Sequence, residues 1–456
     1  MSLSNKKADQ GDQIDRISNL PSNVIDVILE HLDIRDRVRT SILSTKWRYM
    51  WTSVPQLEFS EEFVERYEHL DNHVASRVLA KIITKVLLLH NGPLYKFSLC
   101  VPIYFKYKMT LEHLDMWVPL LSMRGVKHLE LVNSKRAFNQ MPCIIFSCKE
   151  LTNFKVGGFI LSIPPNFSRF KRLLALDLDS VTFESGALEN LISGCPLLEK
   201  LRIECCIGFE YFDFSAPTLK VLFLHFDRNV KSICLKKAEN LIDLTLIAME
   251  RWVSGLIKCL PKNIQRFSIS SYFPNEISYA DMIPLTLLKS SFNSIKYLKL
   301  DYVKLNKRRE LLYIVSVLKS APCLVELVVK SSFSHVDITQ VPHRLEELEC
   351  SNCLLHQLQT VNFHICAYCY QHAMSLIRFI LANSTSLKTL SFEFYLVSLL
   401  YSIGCVGPFR EKLECRSCDM VLPSLCLYFI FENRIYLLSF ALSIPIEQWI
   451  CLSNFL

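Results

Sequence analysis

The sequence predicts an α/β chain in which a short N-terminal helical module leads into a solenoid of stacked strand repeats. Two observations carry that prediction. Residues 16–51, RISNLPSNVIDVILEHLDIRDRVRTSILSTKWRYMW, place apolar side chains at helical spacing. After residue 120 a strand-sized pattern, apolar-x-x-apolar-x-apolar, keeps returning. The composition agrees, since 50% of the 456 residues are hydrophobic and 21% charged, enough for a large core in one or more domains.

In the first segment Leu20-Pro21 leads into a helix, with Ser22 or Asn23 able to cap it and proline tolerated at its start. Val24, Ile25, Ile28, Leu29 and Leu32 form one stripe. Asp33 can cap a second short helix carrying Val38 and Ile42, and Ser44 a third carrying Trp47, Met50 and Trp51. Three short helices cannot bury all of that surface among themselves, and each such side chain left in water forgoes about 1.5–3 kcal/mol. A partner surface is therefore expected. Arg35, Arg37, Arg39, Lys46 and Arg48 lie in and around the second and third helices, where they would steer and orient a partner of opposite charge.

The repeat pattern occurs at Val126/Leu129/Leu131, Leu151/Phe154/Val156, Leu173/Leu176/Leu178, Leu198/Leu201/Ile203, Leu219/Leu222/Leu224 and Leu241/Leu244/Leu246. It continues at Ile264/Phe267/Ile269, Ile295/Leu298/Leu300, Leu324/Leu327/Val329, Leu345/Leu348/Cys350, Leu358/Val361/Phe363 and Leu387/Leu390/Phe392. The intervals are mostly 21–31 residues, with one short step of 13. That period is the signature of leucine-rich repeats, whose units cannot bury an apolar face singly but can when stacked. The stretches before Leu201, Leu327 and Leu390 each read as an amphipathic helix running into a Ser/Gly/Asn/Pro break and then the next strand.

Residues 16–51 resemble the F-box, the helical module that docks onto a Skp-type adaptor in SCF (cullin–RING) ubiquitin ligases. The resemblance rests on Leu20-Pro21, the Ile25/Ile28/Leu29/Leu32 stripe and the ending Leu43-Ser44-x-Lys46-Trp47-Arg48-x-x-Trp51, which is similar to that of plant F-box proteins. Val86-Leu87-Leu88-Leu89-His90-Asn91-Gly92-Pro93, followed by Lys96-Phe97-Ser98-Leu99, also resembles that family, and residues 345–394 resemble the FBD domain that often closes its repeats. The resemblance implies an N-terminal three-helix F-box, a leucine-rich-repeat solenoid and an FBD-like C-terminal region. The expected organisation is a disordered tail at 1–15, F-box at 16–60, helical and mixed connector at 61–120, repeats at 121–344, FBD-like region at 345–394 and an atypical apolar tail at 395–456. Adaptor binding is expected of Leu20, Pro21, Ile25, Ile28, Leu29, Leu43, Trp47 and Trp51. A cullin would follow through the adaptor, and an unnamed protein substrate would meet the repeats. The alternatives are a repeat-based scaffold and a receptor that captures substrate through a small molecule.

Other chemistries find little footing. There is no nucleotide-binding Gly-rich loop, His-Glu-x-x-His or Gly-x-Ser-x-Gly, and only 11 glycines occur in the chain. No catalytic residue and no cofactor are expected. Cys350-x-x-Cys353 and Cys366-x-x-Cys369 have zinc-like spacing, with Cys415-x-x-Cys418 and His356, His364 and His372 nearby. Three of those four cysteines occupy repeat positions, however, so no metal is expected. A net charge of +7 without basic–aromatic interleaving argues against nucleic acid. Eighteen cysteines behind a polar start read as reduced thiols of nucleus or cytoplasm. In the tail, Met420–Phe431 and Ile435–Ile446 are apolar runs broken by Glu432-Asn433-Arg434; neither alone reaches the ~20 residues a membrane helix needs, so no membrane span is expected.

Overall fold

A computed structural model describes most of residues 20–395 and three strands between 411 and 440; outside it lie, among others, 1–16, 103–110, 134–138, 271–278, 280–291, 332–354, 396–410 and 441–456. The tail expected at 1–15 and the Cys350, Cys353 and Cys369 positions therefore fall outside the described residues. The chain forms two compact units, Met1–Ala187 and Leu188–Leu456.

The first unit opens with α1 (Ser22–Glu30), α2 (Ile34–Arg39) and 3₁₀ turns at Thr40–Ile42 and Trp47–Ser53. Asp33 caps α2 as expected, accepting the Asp36 N–H at 2.8 Å. Neither Ser22 nor Asn23 caps α1. Pro21 holds that position, and its carbonyl takes the N–H groups of Val24 and Ile25, so Ser22 is already helical. The third helix is 3₁₀, and in its last turn the hydroxyls of Thr52 and Ser53 donate to the carbonyls of Tyr49 and Met50, three residues back. Beyond these come α3 (Glu61–Glu65), α4 (Asn72–Leu89) and α5 (Leu111–Met123).

Between and after these helices run β1 (Gln56–Phe59), β2 (Lys96–Val101), β3 (His128–Asn133), β4 (Asn139–Gln140), β5 (Asn153–Gly157), β6 (Phe159–Leu161), β7 (Ala175–Asp179) and β8 (Thr182–Phe183). The strands β1, β2, β3, β5 and β7 pair in parallel, while β4, β6 and β8 form a small second sheet. Residues 61–120, expected as a helical and mixed connector, contain α3, α4, β2 and the start of α5. The sheet begins at residue 56, and Val54/Leu57/Phe59 and Leu94/Phe97/Leu99 repeat the same apolar-x-x-apolar-x-apolar spacing.

In the second unit β9 (Lys200–Glu204), β10 (Tyr211–Ser215), β11 (Val221–His225), β12 (Ser232–Lys236), β13 (Asp243–Ile247), β14 (Arg266–Ser270), β15 (Tyr297–Val303), β16 (Glu326–Ser331), β17 (Thr360–Cys366) and β18 (Thr389–Tyr395) follow. All but β10 and β12, which pair with each other, form one parallel sheet in chain order. Helices α6 (Ala187–Ser193), α7 (Arg308–Lys319) and α8 (Tyr370–Asn383) precede β9, β16 and β18, where helices were expected.

The register explains the pattern. Leu201, Leu222, Leu244, Phe267, Leu298, Leu327, Val361 and Leu390 stand side by side in one column, and Ile203 through Phe392 in a second. The first apolar residue of each motif lies before the strand and closes a turn: Leu219 donates to Ala216, Leu241 to Ala238, Leu324 to Ala321 and Leu358 to Leu355. At each strand start two successive N–H groups share one carbonyl of the preceding rung, as Ile242 and Asp243 share that of Lys220 at 3.0 Å. The motif expected at Leu345/Leu348/Cys350 lies outside the described residues. Gln359 and Thr360 donate directly to Val325, and β16 pairs directly with β17, so the ladder passes from Leu327 to Val361 without it. A step of 13 residues is too short for the strand, return and turn that the other units use.

In the tail, β19 (Glu411–Ser417), β20 (Leu425–Phe431) and β21 (Arg434–Phe440) are antiparallel, β19 against β18. The two apolar runs thus contain facing strands of a hairpin, and among the described residues no helix is long and apolar enough to cross a membrane. Nor does any group of three or more His, Cys, Asp or Glu among them form a metal site.

Truncating a column residue should be costly and truncating its open-face neighbour cheap. Leu224→Ala, at a fully buried position, should lower stability by about 2–5 kcal/mol in urea unfolding. Thr245→Ala, half-buried on the other face of the sheet, should stay within about 0.5 kcal/mol.

Candidate docking site

The N-terminal helices are apolar on both sides. Inward, Ile25, Leu29, Trp47 and Val54 form a closed core against which Leu20, Leu32 and Met50 pack. Outward, Val24, Val27 and Ile28 share one face of α1 at i, i+3 and i+4, and Val38, Ile42 and Leu43 follow along α2 and its turn. Ile42 is 87% exposed, Leu43 51% and Tyr49 67%.

This divides the eight residues to which adaptor contact was assigned. Pro21, Ile28 and Leu43 are exposed and Leu20 is half-buried. Ile25, Leu29, Trp47 and Trp51 are between 0% and 5% exposed, so they cannot touch a partner while the module is folded. Their part is to hold α1 against the 3₁₀ turns and so to shape the outer face. Val27, Val38 and Ile42 are also exposed and were not among the eight, nor was the exposed Tyr49. The signal was present for Val27 and Ile28, which lie three and four residues after Val24. Helical spacing alone could not separate the inner from the outer half of so apolar a helix.

The basic residues also divide. Arg37 is buried and donates to the carbonyls of Leu32, Gln56 and Glu30, tying α2 to the first strand. Burial pulls its pKa down, with Glu58, Glu30 and Asp33 opposing. Arg39 pairs with Asp36 at 3.0 Å, and Lys46 donates to the Leu20 carbonyl at 3.1 Å. Arg35 and Arg48 are exposed.

The module is joined tightly to the first rung. Val54 belongs to its core, and Leu57 and Phe59 begin the repeat columns. The Asn91 N–H donates to Thr52, and the buried His90 donates from Nε2 to the Val54 carbonyl at 3.0 Å. His90 Nδ1 has no hydrogen-bond partner among the described residues, so a second ring proton would be buried without an acceptor. Burial lowers the His90 pKa, the Val54 carbonyl partly opposes this, and Arg124 adds to it.

Comparison with known proteins agrees with this geometry. A sequence model of the F-box domain matches residues 17–58, one described as the LRR repeats of FBD-associated F-box protein At5g56370 matches 114–329, and the FBD model matches 349–392. The chain is 30% identical over 401 residues to the Arabidopsis thaliana F-box/FBD/LRR-repeat protein At1g13570, covering 84% of this chain and 91% of that protein. It is 24% identical over 418 residues to the putative F-box/FBD/LRR-repeat protein At5g44950 of the same plant, covering 83% and 92%.

The joint has a testable pH dependence. With its folded pKa below the unfolded value near 6.5, neutral His90 contributes stability that is complete above that pH and lost as pH falls through the folded value. Urea midpoints should therefore drop between about pH 7 and pH 5, and His90→Gln should flatten the drop; parallel profiles for the two proteins would count against a buried neutral ring.

Its N-terminal module, its repeats and its full-length relatives place the chain in the plant F-box/FBD/LRR-repeat family.

Proposed function

We propose that the chain is the substrate-recognition subunit of an SCF ubiquitin ligase, acting in nucleus or cytoplasm. The outer face of the N-terminal module docks a Skp-type adaptor and through it a cullin, and the open strand face of the repeats recruits a protein substrate. The chain contributes no chemistry of its own. Its effect is proximity, holding a target beside the transferring machinery.

The observation that carries this reading is a row of exposed apolar side chains on a module whose own core is already closed. Burying each against a partner would recover about 1.5–3 kcal/mol, and a few such anchors suffice for a stable complex. The joint at Val54, His90 and Arg37 also suits proximity, because a docking face fixed to the first strands would lose little entropy in holding cargo in place.

The test is a pull-down of the full chain with a panel of Skp-type adaptors and a cullin scaffold. Ile28→Ser with Leu43→Ser should weaken adaptor binding at least tenfold, by about 1.4 kcal/mol or more, without moving the urea midpoint of the repeats. Trp47→Ala should also abolish binding, but by opening a core, with about 3–5 kcal/mol lost from the module. Capture unaffected by the double substitution, or no capture by any adaptor, would leave a repeat-based scaffold.

A further inference from the structure

The first unit has a second exposed face with a different chemistry. Between α4 and α5 lies a groove of about 610 Å³ with an apolar floor of Ala80, Leu88, Leu89 and Met116. Trp117 sets the helices in place, donating from Nε1 to the Thr84 hydroxyl at 2.9 Å. Leu88 is 62% exposed, Leu89 48% and Met116 42%. Arg77, Lys81 and Lys85 also line the groove. Four residues apart on one helix, they form a row about 12 Å long.

What marks these three is that they stand in one row on one helix with no carboxylate between them. Arg39, Arg66, Lys96, Lys155 and Arg172 each have a carboxylate partner. Arg77, Lys81 and Lys85 have none among the described residues; α4 contains no Asp or Glu along its whole length, and none of the described residues that line the groove is a carboxylate. Three like charges this close repel one another, and an apolar floor beside them gains nothing from water. One kind of occupant relieves both.

We propose that this groove docks an acidic amphipathic helix of a partner protein. Carboxylates at every fourth position would meet Arg77, Lys81 and Lys85, and apolar side chains beside them would fill the floor over Leu88, Leu89 and Met116. An anionic membrane would also supply the charge; the lining is shared between α4 and α5, a shallow groove of helix width and not one convex helix face, which favours a helix as the occupant. The site uses α4 and α5 and none of the helices that carry the adaptor face, so it stands or falls independently of adaptor binding.

Fluorescence anisotropy with the full chain tests this. The probe is a short labelled Ala-based helix with Glu at every fourth position and Leu beside each, and its control is a twin with Lys in place of Glu. The Glu helix should bind and weaken with added salt, and the Lys helix should not bind. Lys81→Glu with Lys85→Glu should cost at least tenfold and shift preference toward the Lys helix, and Lys81→Gln with Lys85→Gln should give a smaller loss of the same sign. Leu88→Gln with Met116→Gln should weaken binding while keeping its salt dependence. Both lysines are exposed, so an unchanged urea midpoint and retained adaptor capture confirm the fold. Equal binding of the two helices, or no effect of the lysine substitutions, overturns the proposal. So does co-sedimentation with phosphatidylserine-containing vesicles in the absence of helix binding.

Discussion

One carbonyl accepting two successive N–H groups at the start of each strand is the contact on which the repeat architecture depends. Tyr95 and Lys96 share Pro55, Lys127 and His128 share Tyr95, and in the second unit the sequence runs from Glu199 to Gln359 without a change of form. The contact fixes where each strand begins. A strand displaced by one residue would turn its apolar set to the solvent, so the fork and the apolar columns enforce the same register. The first acceptor is a proline, and that is consistent. With no earlier rung to receive an N–H, residue 55 needs only its carbonyl.

The same constraint governs the joint with the N-terminal helices. The first rung has no preceding strand to pack against, and the helical module covers it instead. Arg37 supplies donors to backbone carbonyls on both sides of the joint, and His90 returns from the end of α4 to hold the Val54 carbonyl. Val54 is at once the first apolar position of a repeat motif and a member of the helical core. The boundary between the two modules is therefore a shared side chain.

That sharing explains what the sequence showed and what it hid. Columns built from residues such as Leu201, Leu222 and Leu244 are legible because stacking demands the same side-chain class at the same phase in every unit. Val54/Leu57/Phe59 has that phase too, but it sits inside the ending of the helical motif, and α3 and α4 separate it from the next rung. Leu345/Leu348/Cys350 has the phase without the chain length to return. At the docking site, the residue types were legible and their direction was not. Trp47 entered as a contact through the motif ending it shares with plant F-box proteins; being large and apolar, it lies in the module's core.

The open strand face of each unit carries a further consequence of the register. Neighbouring rungs lie about 4.8 Å apart, so residues at one phase meet their counterparts across the ladder. Glu130 pairs with Lys155 and, in the second unit, Asp243 with Arg266, while Lys96 reaches Glu58 diagonally. Arg202 lies 3.8 Å from the centre of the Phe223 ring, and Arg266 the same distance from that of Tyr297. Exposed pairs of this kind add at most about 1 kcal/mol each to stability. Their larger effect is to cancel charge locally while fixing planar groups in place. The unpaired row on α4 has the opposite character. There three like charges on one helix face add instead of cancelling.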